Sequence, residues 1–280
     1  MRGLRGALTA LLVGAALTGC GAEDAPESAP TTAPSRQAAP AEQPTTAADF
    51  LDLADKAMSA QHGWTFSVRG SEGLDLGAER NSASYEATVR RTTDEPWALH
   101  STGTSHRPSG DVAEEVYVVD GTGYVKEGSA GWQQGPLSDP EIANKTEDPL
   151  AALDAFREYG DEVTVVRSDG RVELRVRTAS SAALPDVRDQ GVVEKALREY
   201  TPTLEQLRSS GVTADESAIT VERAEESVVL DARTHRITAH VFRCTFTVPY
   251  GEQTISYSQE VTERNSGPYE GTIALPEAVG

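Results

Sequence analysis

Five histidines and two cysteines are the side chains of this sequence best suited to metal binding or nucleophilic attack, and their spacing supports neither. His62, His100, His106, His235 and His240 form no His-Glu-x-x-His pair. His235 and His240 lie on one predicted strand at a spacing that puts them on opposite faces. All five read as exposed turn and strand residues. There is no Gly-x-Ser-x-Gly elbow and no phosphate loop ending in Gly-Lys-Ser/Thr, and Gly121-Thr122-Gly123 lacks a third glycine. Glu114-Glu115 and Glu225-Glu226 read as solvated strand ends rather than a general acid and base. The separation of carboxylates in space is not written in a sequence, so a glycosidase-like pair stays open. Cys244, on an apolar strand face, reads as an inert core thiol. No catalytic residue, metal or cofactor is predicted, and the chain is expected not to be an enzyme.

The other cysteine has a different setting. Arg2 and Arg5 precede an uncharged apolar run, Ala7 to Leu17, which is too short for a permanent span of roughly 20 residues. The run ends in Leu17-Thr18-Gly19-Cys20, which resembles the lipobox of bacterial lipoproteins. The resemblance implies cleavage before Cys20, a diacylglycerol thioether on its sulfur and a further acyl chain on the new amine. The plainer alternative is an ordinary cleaved signal followed by a coincidental cysteine. Two or three acyl chains hold a protein stably on a bilayer where one does not. The expected location is the outer face of the bacterial cytoplasmic membrane. Residues 1–19 are then the signal peptide, 20–47 a lipidated cysteine with a tether, and 48–280 one domain. Pro26, Pro30, Pro34, Pro40 and Pro44 recur in the tether among Ala, Thr, Ser and Glu, with no large apolar residue to offset ordering entropy. Fully extended it reaches on the order of 80 Å, at about 3.1 Å per residue.

The elements of the domain follow from periodicity. Phe50, Leu53, Ala54, Ala57 and Met58 form one helical stripe, opened by a Thr46/Asp49 capping box and stopped near Gly63. Alternating apolar residues then predict strands through Trp64–Val68, Tyr85–Val89, Trp97–Leu99 and Val116–Val118, with a turn at Asp120-Gly121 into Tyr124-Val125-Lys126. Asp148-Pro149 opens a second helix that ends at Gly160, and a hairpin turns at Ser168-Asp169-Gly170. Residues 186–210 read as helical with a break at Thr201-Pro202. Strands return at Ile219–Val221, Val228–Leu230 and Arg236–Val248. In the last of these the apolar phase slips by one residue near Val241, from a bulge or from cover on both faces. Thr272–Pro276 is predicted as a closing edge strand.

The net charge of −19 becomes −21 once the two signal-peptide arginines are removed, which makes nucleic acid a poor partner. With Cys20 acylated, Cys244 has no disulfide partner, so the domain must be held by its own core. Trp64, Phe66, Tyr85, Trp97, Tyr124, Trp132, Phe242 and Phe246 are large and fall on strand phases that can share a face. They either fill a core or line a cavity. The order of elements, with Val116-Tyr117-Val118-Val119-Asp120-Gly121, Asp148-Pro149, Val229 to Ile237 and Ile273-Ala274-Leu275-Pro276, resembles the LolA/LolB/LppX-type envelope lipoproteins. That resemblance implies an α+β fold, a curved antiparallel half-barrel with a helical lid over a cavity that takes acyl chains; it carries no individual binding residue across, so the eight aromatics stand as cavity-lining candidates on strand phase alone. The segment 186–210 has no counterpart in the resemblance. Two readings follow: a membrane-anchored carrier or sensor of lipid, or a solid-cored module whose acidic face docks another envelope protein.

Overall fold

In the computed structural model, residues 43–279 are described. The segments predicted as signal peptide and lipidated Cys20, and nearly all of the predicted tether, lie outside them. Helix α1, Ala47–Ser59, begins at the predicted capping box. Thr46 Oγ1 accepts from Asp49 N at 3.1 Å, and Asp49 Oδ2 accepts from Thr46 N at 2.9 Å. Its stripe of Phe50, Leu51, Ala54 and Met58 is buried. Thr46→Ala is expected to cost about 1 kcal/mol of folding stability, measured by urea denaturation, because an orphan helix donor loses its acceptor.

The strands run β1 Gly63–Leu76, β2 Glu79–Thr92, β3 Leu99–Arg107, β4 Gly110–Val119, β5 Thr122–Glu127 and β6 Gln133–Pro136. After helices α2 Pro140–Thr146 and α3 Ala151–Tyr159 come β7 Thr164–Ser168, β8 Arg171–Arg177 and the short β9 Ala182–Ala183. Helices α4 Leu184–Val187 and α5 Gly191–Ser209 precede β10 Thr220–Asp231, β11 Ile237–Tyr250 and β12 Gln253–Pro268. All pair antiparallel in one open, curved 12-stranded sheet of order β6-β5-β4-β3-β2-β1-β12-β11-β10-β8-β7, with β9 beside β10. Two meanders thus meet where β1 pairs with β12, and neither end closes on the other. Period-two alternation puts Trp64, Phe66, Val89, Val116, Phe242, Phe246 and Tyr257 on one buried face. The helices supply the rest of that core through Phe50, Met58, Phe156, Val193 and Tyr200. Trp64 Nε1 donates to Met58 O at 2.8 Å, which ties the end of α1 to the first strand. No helix among the described residues is long and apolar enough to cross a membrane.

Several expectations are corrected. The phase slip is a bulge, placed at Thr238: Val229 faces Ala239, but Leu230 faces Ile237, so one extra residue shifts the later set His240, Phe242, Cys244 and Phe246 inward. Helix α5 runs unbroken through Pro202. The proline gives up one ladder bond, yet Tyr200, Leu204 and Leu207 continue the buried stripe of Val192, Val193 and Ala196 across it. The predicted strands at Ile219–Val221 and Val228–Leu230 are one strand, β10. Thr272–Pro276 is not a strand, and β12 already ends at Pro268. Trp97 and Trp132 lie just outside the strands that follow them. The Asp120-Gly121 turn is as expected: φ values of 50° and 73° give the two left-handed residues of a tight hairpin.

Candidate functional site

Between the inner face of the sheet and the helices lies a chamber of about 310 Å³. Its floor carries Val68, Tyr85, Val89, Phe242 and Val261, and α2 and α5 face them with Asn144, Lys145, Lys195 and Glu199. Exposed Glu72, Ser84 and Arg107 mark the solvent end, and buried Ser101, His240 and Glu263 the deep end. Gly103 makes room for this floor, since a Cβ there would meet Tyr85 Oη at 2.6 Å. With the ring in that place, Tyr85 Oη donates to Glu114 Oε1 at 2.8 Å. Lys145 Nζ donates to Glu127 Oε1 at 2.8 Å and also to Glu114. Glu114 is therefore no solvated strand end; its side chain is 9% exposed.

Below the chamber sits a buried ionic network. Glu226 is 0% exposed, His240 5% and Glu263 6%. Glu226 accepts from His240 Nε2 at 2.6 Å, Lys195 Nζ at 2.9 Å and Tyr159 Oη at 2.6 Å. His240 Nδ1 lies 2.6 Å from Glu263 Oε2, and Lys195 Nζ 2.9 Å from Glu147 Oε2. These contacts correct two expectations, since neither His240 nor Glu226 is exposed. Burial works against a charge on His240, but the hydrogen bonds to Glu226 and Glu263 outweigh it and raise the imidazole to about 9. Burial also resists ionisation of Glu226, yet Lys195 and His240 hold its carboxyl well below the usual range. Burial pushes Glu263 up, and it pushes Glu199 up with Glu147 adding repulsion. Cys244 is buried and its thiol is pushed up to about 12, chiefly by burial, in keeping with an inert core thiol.

A second buried ion pair fixes α3. Arg91 Nη1 donates to Asp148 Oδ2 at 2.7 Å, and Asp148 Oδ1 accepts from Leu150 N at 2.7 Å. The residue predicted to cap the helix thus also pins it to β2.

The predicted lining residues fall into three places. Tyr85 and Phe242 line the chamber. Trp64 and Phe66 are buried beside α1, and Phe246 stacks on Tyr200 at 4.6 Å, so these three belong to solid core. Trp97 is half-buried with Arg91 over its ring at 4.2 Å. Tyr124 and Trp132 are on the outer face: Tyr124 pairs with Tyr117, whose ring stacks on His100 and lies 5.7 Å from Trp132. The sequence reading missed Glu226, His240, Glu263, Lys195 and Glu199. A signal existed for the strand residues, because each shares the apolar phase of its strand: Glu226 with Ala224 and Val228, His240 with Phe242, and Glu263 with Val261. A polar residue in that phase is a buried one.

No group of three or more His, Cys, Asp or Glu able to hold a metal ion occurs among the described residues. No family model and no curated protein matches the chain. Among solved structures it is similar to LprF from Mycobacterium bovis, at 15% identity over 82% of this chain and 96% of that one, TM-score 0.31. It is similar to a DUF1329 family protein from Desulfovibrio piger, at 9% identity over 78% and 92%, TM-score 0.30. A LolA superfamily protein, NE2245 from Nitrosomonas europaea, is similar at 11% identity over 80% and 96%, TM-score 0.26. At these identities and scores, function has to be argued from the chain's own residues.

Proposed function

We propose that this protein is a membrane-anchored extracytoplasmic lipoprotein that binds or carries lipid in the chamber between its sheet and helices. The supporting observation is the chamber itself, whose volume of about 310 Å³ stands at the lower end of the roughly 300–1,000 Å³ of small-molecule sites. A space of that size accommodates one chain or the head-proximal part of a lipid. Removing the chain from water supplies about 0.8 kcal/mol per methylene, against Val68, Val89, Phe242 and Val261. The charged side chains of α2 and α5 would orient the head. Acylation at Cys20 would hold the domain at the outer face of the cytoplasmic membrane, and the tether would let it leave the surface while still attached. In this reading the protein does no catalysis and needs no cofactor.

The test is mass spectrometry of lipid retained by the full-length chain carrying Cys20→Ser. Lipid at near-unit ratio supports the carrier, and a lipid-free protein that also takes up none from vesicles removes it. Ala83→Trp places a large ring at the chamber wall, outside the buried core, and is expected to lower uptake about tenfold or more with native circular dichroism. Unchanged uptake would put the ligand elsewhere.

The second reading, a module that docks another envelope protein, is favoured by a cleft of about 430 Å³ between α3 and α5. Glu158, Glu162, Asp189 and Glu194 line it, and its cations Lys195 and Arg198 are both engaged by Glu147. A basic segment suits that cleft. Cross-linking of a partner through Glu158 or Glu194 to a lipid-free chain would support it.

A further inference from the structure

The chamber's hydrogen-bonding groups are unbalanced in one direction. Its deep cations are already engaged: Lys145 by Glu114 and Glu127, Lys195 by Glu147 and Glu226, and His240 by Glu226 and Glu263. Arg107 stands at the exposed rim, where Nε donates to Ser105 Oγ at 3.1 Å. The acceptors are not matched in the same way. Glu199 takes one hydrogen bond, from Gln259 Nε2 at 3.3 Å, and makes no direct ion pair among the described residues; Lys195 and Arg198, both paired with Glu147, act on it only from beyond that range. Glu72 accepts from Thr203 Oγ1 at 3.0 Å and likewise has no ion-pair partner among them. The amide oxygen of Asn144, on α2 in the same helical lining as Glu199, is buried without any hydrogen-bond partner. A secluded carboxylate without a direct ion pair and a buried carbonyl without a donor are each unfavourable until a ligand supplies N–H groups. An anionic head placed there would meet Glu199, Glu72 and Glu263 and add like-charge repulsion to its own desolvation. The same acceptors do not group as a metal site among the described residues.

We infer that the chamber selects an amphiphile with an ammonium-bearing head, whose N–H groups are received by Glu199 and Asn144, and disfavours phosphate, sulfate and carboxylate heads. The inference rests on the reading of the chamber as a lipid site and adds the class of head it takes. The experiment is calorimetric titration at neutral pH of the full-length Cys20→Ser chain with decylamine, decanol, decyl sulfate and ethylamine. Decylamine is expected to bind about tenfold or more tighter than decanol, the scale of one charge-assisted hydrogen bond, with decyl sulfate weakest. In E199Q the preference for decylamine over decanol is expected to fall about tenfold, with the circular dichroism spectrum native. Decyl sulfate binding as tightly as decylamine, or E199Q keeping the full preference, overturns the inference and leaves the lipid site standing. Equal affinity for ethylamine and decylamine overturns it in favour of a free amine. No uptake of any decyl compound removes the lipid site and the inference together.

Discussion

Glu226→Ala is expected to cost roughly 3–5 kcal/mol of folding stability, although the residue is one carboxylate among many in an acidic chain. The substitution leaves Lys195, His240 and Tyr159 without the acceptor they share at 2.9, 2.6 and 2.6 Å. All three donors belong to different elements, so the loss also loosens α3 and α5 from the sheet. The control is its neighbour: Glu225 has a side chain 14% exposed and pairs with Arg223 at 2.6 Å near the surface, and Glu225→Ala should cost under about 1 kcal/mol. Urea denaturation of the two variants checks this. Equal losses would mean that the network is not what holds the helices down.

The same network gives a pH signature. His240 is raised in the folded chain from 6.5 to about 9. Its contribution is therefore complete below the unfolded value and is lost as pH rises through the folded one, about 3 kcal/mol at most. Glu226 has the opposite sign: its lowered carboxyl stabilises above the ordinary carboxylate range, and that stabilisation is lost in acid. The wild-type chain should lose stability between about pH 6.5 and pH 9, and His240→Gln should flatten that decline. A decline of unchanged slope in the variant would assign it to other groups.

The second large effect is expected at Phe246. Its ring is fully buried, stacked on Tyr200 at 4.6 Å with an 11° interplanar angle and 6.5 Å from Tyr257. Phe246→Ala should cost about 3–5 kcal/mol, by lost burial and by a cavity that α5 and the sheet are unable to close. It is a test of the core rather than of ligand uptake, because the residue stands away from the chamber. The Tyr200 hydroxyl beside it is buried with no hydrogen-bond partner. Tyr200→Phe should therefore be neutral or stabilising by about 1 kcal/mol. Thermal unfolding of the pair separates packing from polarity; a destabilised Tyr200→Phe would mean that the hydroxyl has a partner.

Much of the architecture was legible because it is local. The Thr46/Asp49 box and the Asp120-Gly121 turn each depend on residues within a few positions and form as their spacing predicts, and Asp148 accepts from Leu150 N in the turn that leads into α3, which begins two residues later than the spacing predicts. Alternation likewise assigns the buried face of most strands, since the pleat has a strict period of two. Local rules erred where distant packing overrode them. Burial of Tyr200, Leu204 and Leu207 carries α5 through Pro202, and a single extra residue at Thr238 decides which face receives His240.

What the amino-acid sequence determined by itself is the amphipathic character of each element and the turns between them. Only the tertiary structure decided that Glu226, His240, Glu263 and Lys195 meet, that Tyr124 and Trp132 face away from the chamber, and that its walls carry charge as well as grease. The reason is the range of the interactions. A cap or a turn is settled by neighbours along the chain, whereas a buried carboxylate is tolerable only when strand register brings it a partner. Those registers, β10 on β11, β11 on β12 and β12 on β1, join residues as distant as Trp64 and Pro268.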